Sequence, residues 1–243
     1  MVRISNMTCG YGGKPVLSEI SLDIEEGTTM MLTGPNGAGK STVLRVLAGV
    51  LAPTKGTVDY GWPGERDPRR LIGFLPDSSS MYRSLRVAEA KRIHQESFSV
   101  DCSPLPLLEK ASISERAVIS ELSAGQRVLV QLALLLSTRP RLILLDEVLH
   151  SVDPYLRVLA LEAIVSAMAD SNPTVVTVNL NYREMVPLAE RVVFLGWEGI
   201  VLNESVEALA ENPQFKDMSS VPGLPGVLAG LMARVHQKRK GLR

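Results

Sequence analysis

This chain of 243 residues has few cysteines, no net charge and no long uncharged apolar run. Its two cysteines, Cys9 and Cys102, lie far apart, which argues against a disulfide framework and favours free thiols in a reducing compartment. Basic and acidic residues both number 26, so no overall positive field indicates a nucleic-acid partner. No uncharged apolar run approaches the roughly 20 residues of a membrane span, and the first residues do not resemble a signal peptide. We therefore expect a soluble, cytoplasmic protein.

The hydrophobic pattern predicts an α/β fold with a mainly parallel sheet, because strands alternate with helices along most of the chain. The residues up to about Glu25 alternate loosely between apolar and polar types, which predicts antiparallel strands joined by a turn at Gly12–Pro15. Between 84 and 120 the pattern is helical and more polar, with breaks at Pro104 and Pro106. Other predicted elements are strands at Thr29–Thr33, Thr57–Tyr60, Leu71–Leu75, Leu142–Leu145, Thr174–Val178, Val192–Leu195 and Ile200–Leu202, and helices at Thr42–Ala48, Gln126–Ser137, Pro154–Ala169 and Val227–Gln237.

The stretch from Gly34 to Thr42 fits the phosphate-binding pattern G-x-x-x-x-G-K-[ST]. Glycines let the backbone bend so that successive N–H groups point at one anion. Lys40 adds a positive charge for the β- and γ-phosphates, and the hydroxyl of Ser41 is suited to binding Mg²⁺. A buried strand precedes the stretch, and the helix after it directs its positive N-terminus at the phosphates. The predicted phosphate site comprises Gly34, Pro35, Asn36, Gly37, Ala38, Gly39, Lys40, Ser41 and Thr42.

Two further motifs follow along the chain. Leu122–Gln126 reads Leu-Ser-Ala-Gly-Gln and directly precedes a long apolar helix, whose N-terminus is an attractive place for an anion. Leu142–Glu147 is a buried strand that ends in two carboxylates. Either the carboxylates bind a metal ion or they merely solvate the strand end and cap the next helix. The preceding phosphate-binding stretch favours the metal.

These three motifs, in this order and spacing, closely resemble the nucleotide-binding subunit of ABC transporters. The resemblance covers roughly Val2–Ser205. It implies an α/β P-loop NTPase (RecA-like) core with an antiparallel β-subdomain and an inserted α-helical subdomain. The whole chain, 1–243, would be a single ATP-binding domain. Its expected parts are 1–76 and 141–205 for the β-subdomain and core, 77–140 for the helical subdomain, and 206–243 for a C-terminal extension.

The resemblance also implies roles for individual residues. Asp146 matches the aspartate that holds Mg²⁺, and Glu147 matches the carboxylate that polarises the attacking water. Tyr11 occupies the place of an aromatic residue that stacks on adenine, although a tyrosine in a hairpin can also serve packing alone. Ser151–Asp153 matches a segment that runs along a dimer interface. The resemblance further implies a head-to-tail dimer that sandwiches two ATP molecules. In that dimer Ser123, Gly125 and Gln126 would face the γ-phosphate held by the other subunit.

Two positions depart from the family pattern. Asp77 follows the strand Leu71–Leu75, where the family usually carries a glutamine that contacts Mg²⁺ and the attacking water. A carboxylate can still contact the metal or its waters, so Asp77 remains a candidate for metal and nucleotide binding.

The second departure concerns the switch histidine expected after Thr174–Val178. Asn179 fills that position, unless the register shifts to Leu180, and the three histidines of the chain are His94, His150 and His236. Asparagine donates a hydrogen bond but cannot become a cation. The loss of one transition-state contact typically costs about 10²–10³ in rate. We therefore expect normal MgATP binding with slow hydrolysis.

The resemblance implies an ATP-hydrolysing, energy-coupling transporter subunit with Lys40, Glu147 and Asn179 as its catalytic residues. The expected partners are a second ATPase subunit, identical or different, and integral membrane permease subunits, which would hold this chain on the inner face of the cell membrane. The alternatives are a hydrolysis-impaired regulatory partner and a soluble ABC ATPase that does not act in transport. By analogy the permease would dock near 77–89, with Ser78, Ser79, Met81 and Tyr82 as contacts.

Overall fold

We analysed a computed structural model that describes residues 1–78, 81–102, 105–149, 152–178 and 189–211. The described chain divides into two compact units, Met1–Gly61 with the residues from Val176 onward, and Trp62–Val175. The predicted bounds of the subdomains, 1–76 with 141–205, 77–140 and 206–243, remain a prediction. Several predicted features lie outside the described residues: Ser79, Pro104, His150, Ser151, Asn179, Leu180, His236 and the helix Val227–Gln237.

The first unit contains a three-stranded antiparallel sheet in the order β2-β1-β4, formed by β1 (Val2–Tyr11), β2 (Lys14–Ile24) and β4 (Lys55–Asp59). Alternate side chains of β1 are buried, including Met7 and Cys9, as expected for a sheet with one covered face. The predicted antiparallel strands are therefore present. The turn is shorter than predicted, because Lys14, the first residue of β2, already pairs with Tyr11, the last residue of β1.

The first unit also holds the strand and helix that flank the phosphate-binding stretch. Strand β3 (Thr29–Thr33) is completely buried and pairs in parallel with β8 (Arg191–Gly196), which pairs in turn with the antiparallel β9 (Gly199–Ser205). Helix α1 spans Lys40–Leu47. It begins two residues before the predicted start at Thr42, because Gly39 already serves as its N-cap. A last helix, α6, spans Val206–Glu211.

The second unit carries β5 (Ile72–Leu75) and β6 (Leu142–Asp146), which pair in parallel. The strand order is β5-β6-β7, and the division between the units falls within β7 (Thr174–Val178). In the first unit the order is β7-β3-β8-β9. Parallel strands without polar interruption must be covered on both faces. These observations agree with the predicted, mainly parallel sheet.

Helices make up most of the rest of the second unit. We predicted a break in the helical pattern at Pro106. One helix ends at Phe98 and the next begins at Pro106, because proline is well suited to the first helical position. The apolar side chains of these helices share one buried core that includes Ile119, Leu129 and Ile164. The helices are α2 (Val87–Phe98), α3 (Pro106–Lys110), α4 (Ala124–Ser137) and α5 (Pro154–Ser171), with short 3-10 helices at Pro68–Leu71 and Ile119–Glu121.

Within the described ranges we find no helix with the length and apolar character needed to span a bilayer.

Candidate functional site

The loop between β3 and α1 adopts a backbone conformation that requires glycine. Gly34 has φ of +143° and Gly39 has φ of +97°. A Cβ atom on Gly34 would lie 2.0 Å from the carbonyl oxygen of Leu195 in β8, and one on Gly39 would lie 2.6 Å from Cδ2 of Leu17 in β2. The loop is therefore a cradle bounded by β8 and β2, with no room for side chains at these two positions.

Lys40 places its ammonium group against this cradle. The side chain is 6% exposed, and Nζ donates hydrogen bonds to the carbonyl oxygens of Gly34 and Pro35, each at 3.0 Å. Lys40 is also the first residue of α1, whose first turn carries no acidic side chain. Buried positive charge and a helix N-terminus together favour an anion at this place.

These features fit the phosphates of a nucleotide, because the buried ammonium of Lys40 and the N-terminus of α1 both lie at the glycine loop. The hydroxyl of the half-buried Ser41 is an oxygen donor of the kind that Mg²⁺ prefers. Asn36 and Gly37 form the exposed tip of the loop. Gly34–Thr42 thus comprises the loop after β3 and the first residues of α1, with the Lys40 side chain buried against the loop backbone.

Tyr11 lies beside the same loop, at the end of β1. Its side chain is 46% exposed, and its hydroxyl accepts a hydrogen bond from Nη1 of Arg45 at 2.8 Å. Val16 and Leu17, from the other strand of the hairpin, lie next to Gly39. The exposed ring suits the predicted stacking role better than a packing role. The sequence analysis missed Arg45, and the only available signal was its position five residues after Lys40 on α1.

In the second unit, the predicted metal-binding and catalytic carboxylates follow two paired strands. Leu75 of β5 pairs with Leu145 of β6, so Asp77 and Asp146–Glu147 leave the sheet at the same edge. Asp146 is 1% exposed, whereas Asp77 is exposed. A buried carboxylate at the end of a strand fits a hard cation such as Mg²⁺.

Glu147 has an unusual backbone conformation. Its φ is +51°, in the left-handed region that costs a residue with a Cβ about 1–2 kcal/mol. Its side chain is half-buried. Residues in such conformations concentrate at functional sites, where the surrounding structure holds them in place. The strain agrees with a functional role for this glutamate.

The Leu122–Gln126 motif forms the start of α4. The hydroxyl of Ser123 accepts a hydrogen bond from the backbone N–H of Gln126 at 3.1 Å, and the Gln126 side chain accepts one from the N–H of Ser123 at 3.0 Å. This reciprocal pair is a capping box. Ser123 is exposed and is the N-cap of α4.

Gly125 lets the start of α4 approach the start of α5. A Cβ on Gly125 would lie 3.1 Å from Leu156 Cδ1 and 3.4 Å from Val152 Cγ1. Asp153 caps α5 by accepting a hydrogen bond from the N–H of Leu156. The structure thus brings Ser123, Gly125 and the predicted interface residue Asp153 to neighbouring helix starts.

The segment predicted to dock a membrane partner borders two small pockets of about 330 and 180 Å³ that share Met81 and His94. Tyr82 is 78% exposed. The His94 ring lies 4.6 Å from that of Phe98. Burial lowers the pKa of His94, and a hydrogen bond with the backbone of Leu134 opposes this shift in part. The surface therefore combines an exposed aromatic ring with a histidine that favours its neutral form.

A separate pocket of about 650 Å³ lies among α3, α4 and α5. Its charged lining is mixed in sign, and Lys110 pairs with Glu162 at 3.4 Å. None of the predicted site residues lines it. The pocket therefore gives no support for nucleotide chemistry.

Comparison with known proteins identifies the family. The profile of the ABC transporter family matches residues 17–150, which include all three motifs. The chain belongs to the ABC transporter family. It is 30% identical over 228 residues to the high-affinity zinc uptake system ATP-binding protein ZnuC of Bacillus subtilis (strain 168), covering 85% of this chain and 98% of the relative. It is 27% identical to the lantibiotic transport ATP-binding protein SrtF of Streptococcus pyogenes, covering 87% and 93%.

Solved structures confirm the fold. An ATP-binding subunit of an ABC transporter superposes with a TM-score of 0.83 at 18% identity, covering 95% of this chain and 99% of that chain. The ATP-binding cassette MJ0796, solved as a dimer in a post-hydrolysis state with ADP and Pi, gives 0.72 at 24% identity, covering 84% and 98%. The predicted family and P-loop NTPase fold class are confirmed.

The cradle generates a prediction about two neighbouring glycines. Gly34→Ala places a Cβ against a backbone oxygen, so we expect it to lower the free energy of unfolding by about 2–5 kcal/mol. Gly37 has φ of +78° and nothing within 4 Å of its Cβ position. Gly37→Ala is therefore expected to cost only about 1 kcal/mol. Urea unfolding followed by circular dichroism measures both, and equal losses would contradict a cradle closed at Gly34.

Proposed function

We propose that this chain is the ATP-binding and ATP-hydrolysing, energy-coupling subunit of a transporter, working as a head-to-tail dimer with separate membrane permease subunits. The observation that carries the proposal is the glycine cradle closed against Leu195, with the buried ammonium of Lys40 beside it. The family is one of ATPases, and its relatives ZnuC and SrtF are named for uptake and transport.

The first step is to hold the triphosphate. Backbone amides of 34–42 and the start of α1 would donate to the phosphate oxygens, and Lys40 would exchange its contacts with two carbonyls for the β- and γ-phosphates. In the first unit Ser41 would be a ligand of Mg²⁺, and in the second unit Asp146 and Asp77 would offer carboxylate oxygens to such a cation. Mg²⁺, when bound, neutralises charge that develops on the phosphates.

Hydrolysis then needs an oriented water and little covalent chemistry from the protein. Glu147 would accept a hydrogen bond from that water and polarise it. Its left-handed backbone fixes the direction in which the chain leaves β6, and so the direction of the side chain. Tyr11 would stack on the adenine ring, because its ring is half-exposed and its hairpin lies next to Gly39 of the phosphate loop through Val16 and Leu17.

The dimer follows from the start of α4. Ser123 uses its oxygen to accept the bond that caps the helix, which leaves its O–H available as a donor to an anion. Gly125 keeps this helix start free of a side chain on the face toward α5. We propose that Ser123, Gly125 and Gln126 cover the γ-phosphate held by a second subunit. The structural neighbour MJ0796 was solved as a dimer bound to ADP and Pi, which is in keeping with a dimeric arrangement.

We further propose that the surface around Met81 and Tyr82 contacts a membrane permease, which would place the chain on the inner face of the membrane. An exposed tyrosine beside small apolar pockets is typical of contact surfaces that bury an aromatic anchor.

Lys40 provides the first test. Lys40→Ala removes a buried, hydrogen-bonded charge, so we expect it to weaken MgATP binding by about 100-fold or more and to abolish turnover. Isothermal titration calorimetry measures the affinity. Lys55→Ala, which removes an exposed lysine from β4, is the matched control and should bind normally. Unchanged affinity in the Lys40 variant, with its circular dichroism spectrum preserved, would contradict the placement of the phosphates.

The membrane partner has its own test. We expect a polytopic membrane protein to co-purify with the wild-type chain from detergent-solubilised native membranes. Tyr82→Glu should lose that partner, whereas Tyr155→Glu should retain it, because Tyr155 is 64% exposed on α5 away from the two small pockets. Recovery of a ribosome or a soluble scaffold in place of a membrane protein would favour a soluble ABC ATPase.

A second candidate function is a regulatory partner that binds MgATP and hydrolyses it slowly, and Asn179 favours it. We expect Asn179→His to raise the rate of phosphate release by about 100-fold, because histidine supplies a contact that can carry positive charge. Asn179→Gln, which keeps an amide donor, is the control and should stay slow. A wild-type rate that is already high and does not increase with histidine would rule out this candidate.

A further inference from the structure

The hydroxyl of Tyr11 is connected to α1 through a residue outside the Gly34–Thr42 motif. Nη1 of Arg45 donates to this hydroxyl across 2.8 Å. Arg45 lies in the last turn of α1, about 7.5 Å along the helix axis from Lys40 at 1.5 Å per residue. One helix thus carries the phosphate-binding lysine at its start and a hydrogen-bond donor to the tyrosine near its end.

Burial alone does not fix the Tyr11 ring, because its side chain is 46% exposed. The ring also sits next to the turn residues Gly12 and Gly13, both with positive φ. An exposed side chain that must adopt one orientation to bind a ligand loses rotamer freedom at that moment, which weakens binding. The hydrogen bond from Arg45 restricts the ring before a ligand arrives.

The backbone of Arg45 is itself well held. Its carbonyl oxygen accepts hydrogen bonds from the N–H groups of Val50 and Leu51, at 2.9 and 3.0 Å. At the other end of the connection, Val16 and Leu17 of the hairpin lie against the Gly39 backbone. The hairpin and α1 are therefore joined at two places, one near the phosphate loop and one at the tyrosine hydroxyl.

We propose that Arg45 is a positioning residue that holds the Tyr11 ring in the orientation needed to stack on a purine base. Arg45 would thereby raise the affinity for the base portion of the nucleotide without contacting the phosphates. This inference rests on the proposed function, because it requires a nucleotide in the 34–42 loop. A role for Arg45 limited to the C-terminal dipole of α1 would affect every ligand of that loop equally.

A double-mutant cycle tests the proposal. Arg45→Met keeps the aliphatic stem, and Tyr11→Phe keeps the ring, and both variants lose the hydrogen bond between the two side chains. We expect each to weaken MgATP binding by about two- to tenfold, and the double variant to lose no more than the weaker-binding single variant. Arg92→Met, which removes an arginine that is 71% exposed on α2, is the control and should bind normally.

Inorganic tripolyphosphate with Mg²⁺, measured by displacement of a fluorescent ATP analogue, separates base from phosphate effects. We expect its affinity to be unchanged in Arg45→Met and Tyr11→Phe, because it has no base. Arg45→Lys, which keeps a donor, should recover part of the ATP affinity and shows that the site tolerates substitution.

Three results would overturn the proposal: unchanged ATP affinity in Arg45→Met, an equal loss for tripolyphosphate, or additive losses in the double variant. If the wild-type chain bound tripolyphosphate as tightly as ATP, the base would contribute nothing and the proposal would fail while the phosphate site stood. If it bound neither, the proposed function itself would fail.

Discussion

The ammonium of Lys40 lies 3.0 Å from two carbonyl oxygens of the loop that it closes, and the conformation of the phosphate-binding loop in the first unit depends on that contact. A buried ammonium group is costly unless it is hydrogen-bonded. Carbonyl oxygens satisfy it, but they carry only partial charge, so a phosphate is a far better partner. The requirement to hold this charge explains why the loop must curl back on itself, and hence why glycine stands at Gly34 and Gly39.

The curled loop in turn constrains its neighbours. Strand β3 must deliver the chain to within van der Waals contact of Leu195 on β8, which is possible because Met30–Thr33 pairs in parallel with Arg191–Phe194. Helix α1 begins at once after the left-handed Gly39, so its amides face the loop. Its apolar side chains, including Leu44 and Leu47, are fully buried and fix the helix in place. The same helix then supports Tyr11 through Arg45.

In the second unit, strand ends and a helix start position the polar side chains of the candidate site. Buried strands β5 and β6 end side by side, which brings Asp77, Asp146 and Glu147 to one edge, and the positive φ of Glu147 turns the chain sharply after β6. At the start of α4, the capping box satisfies Ser123 and Gln126 mutually while the helix N-terminus remains at the surface. Glycine at position 125 allows two helix starts to pack closely. The positions of Glu147, Ser123 and Gln126 are therefore set by backbone conformation and helix capping as well as by burial.

The sequence by itself determined the family, the phosphate-binding stretch and the order of most strands and helices, because each depends on local spacing or periodicity. It misplaced the start of α1 by two residues, since helix ends depend on single backbone conformations. Only the tertiary structure decided that Gly34 lies against the backbone of Leu195 and that Arg45 donates a hydrogen bond to Tyr11. It also decided that Gly125 faces α5 and that Glu147 is strained. The contacts of Gly34, Gly125 and Arg45 join residues far apart in the chain, and a local sequence pattern does not indicate which distant residues will meet.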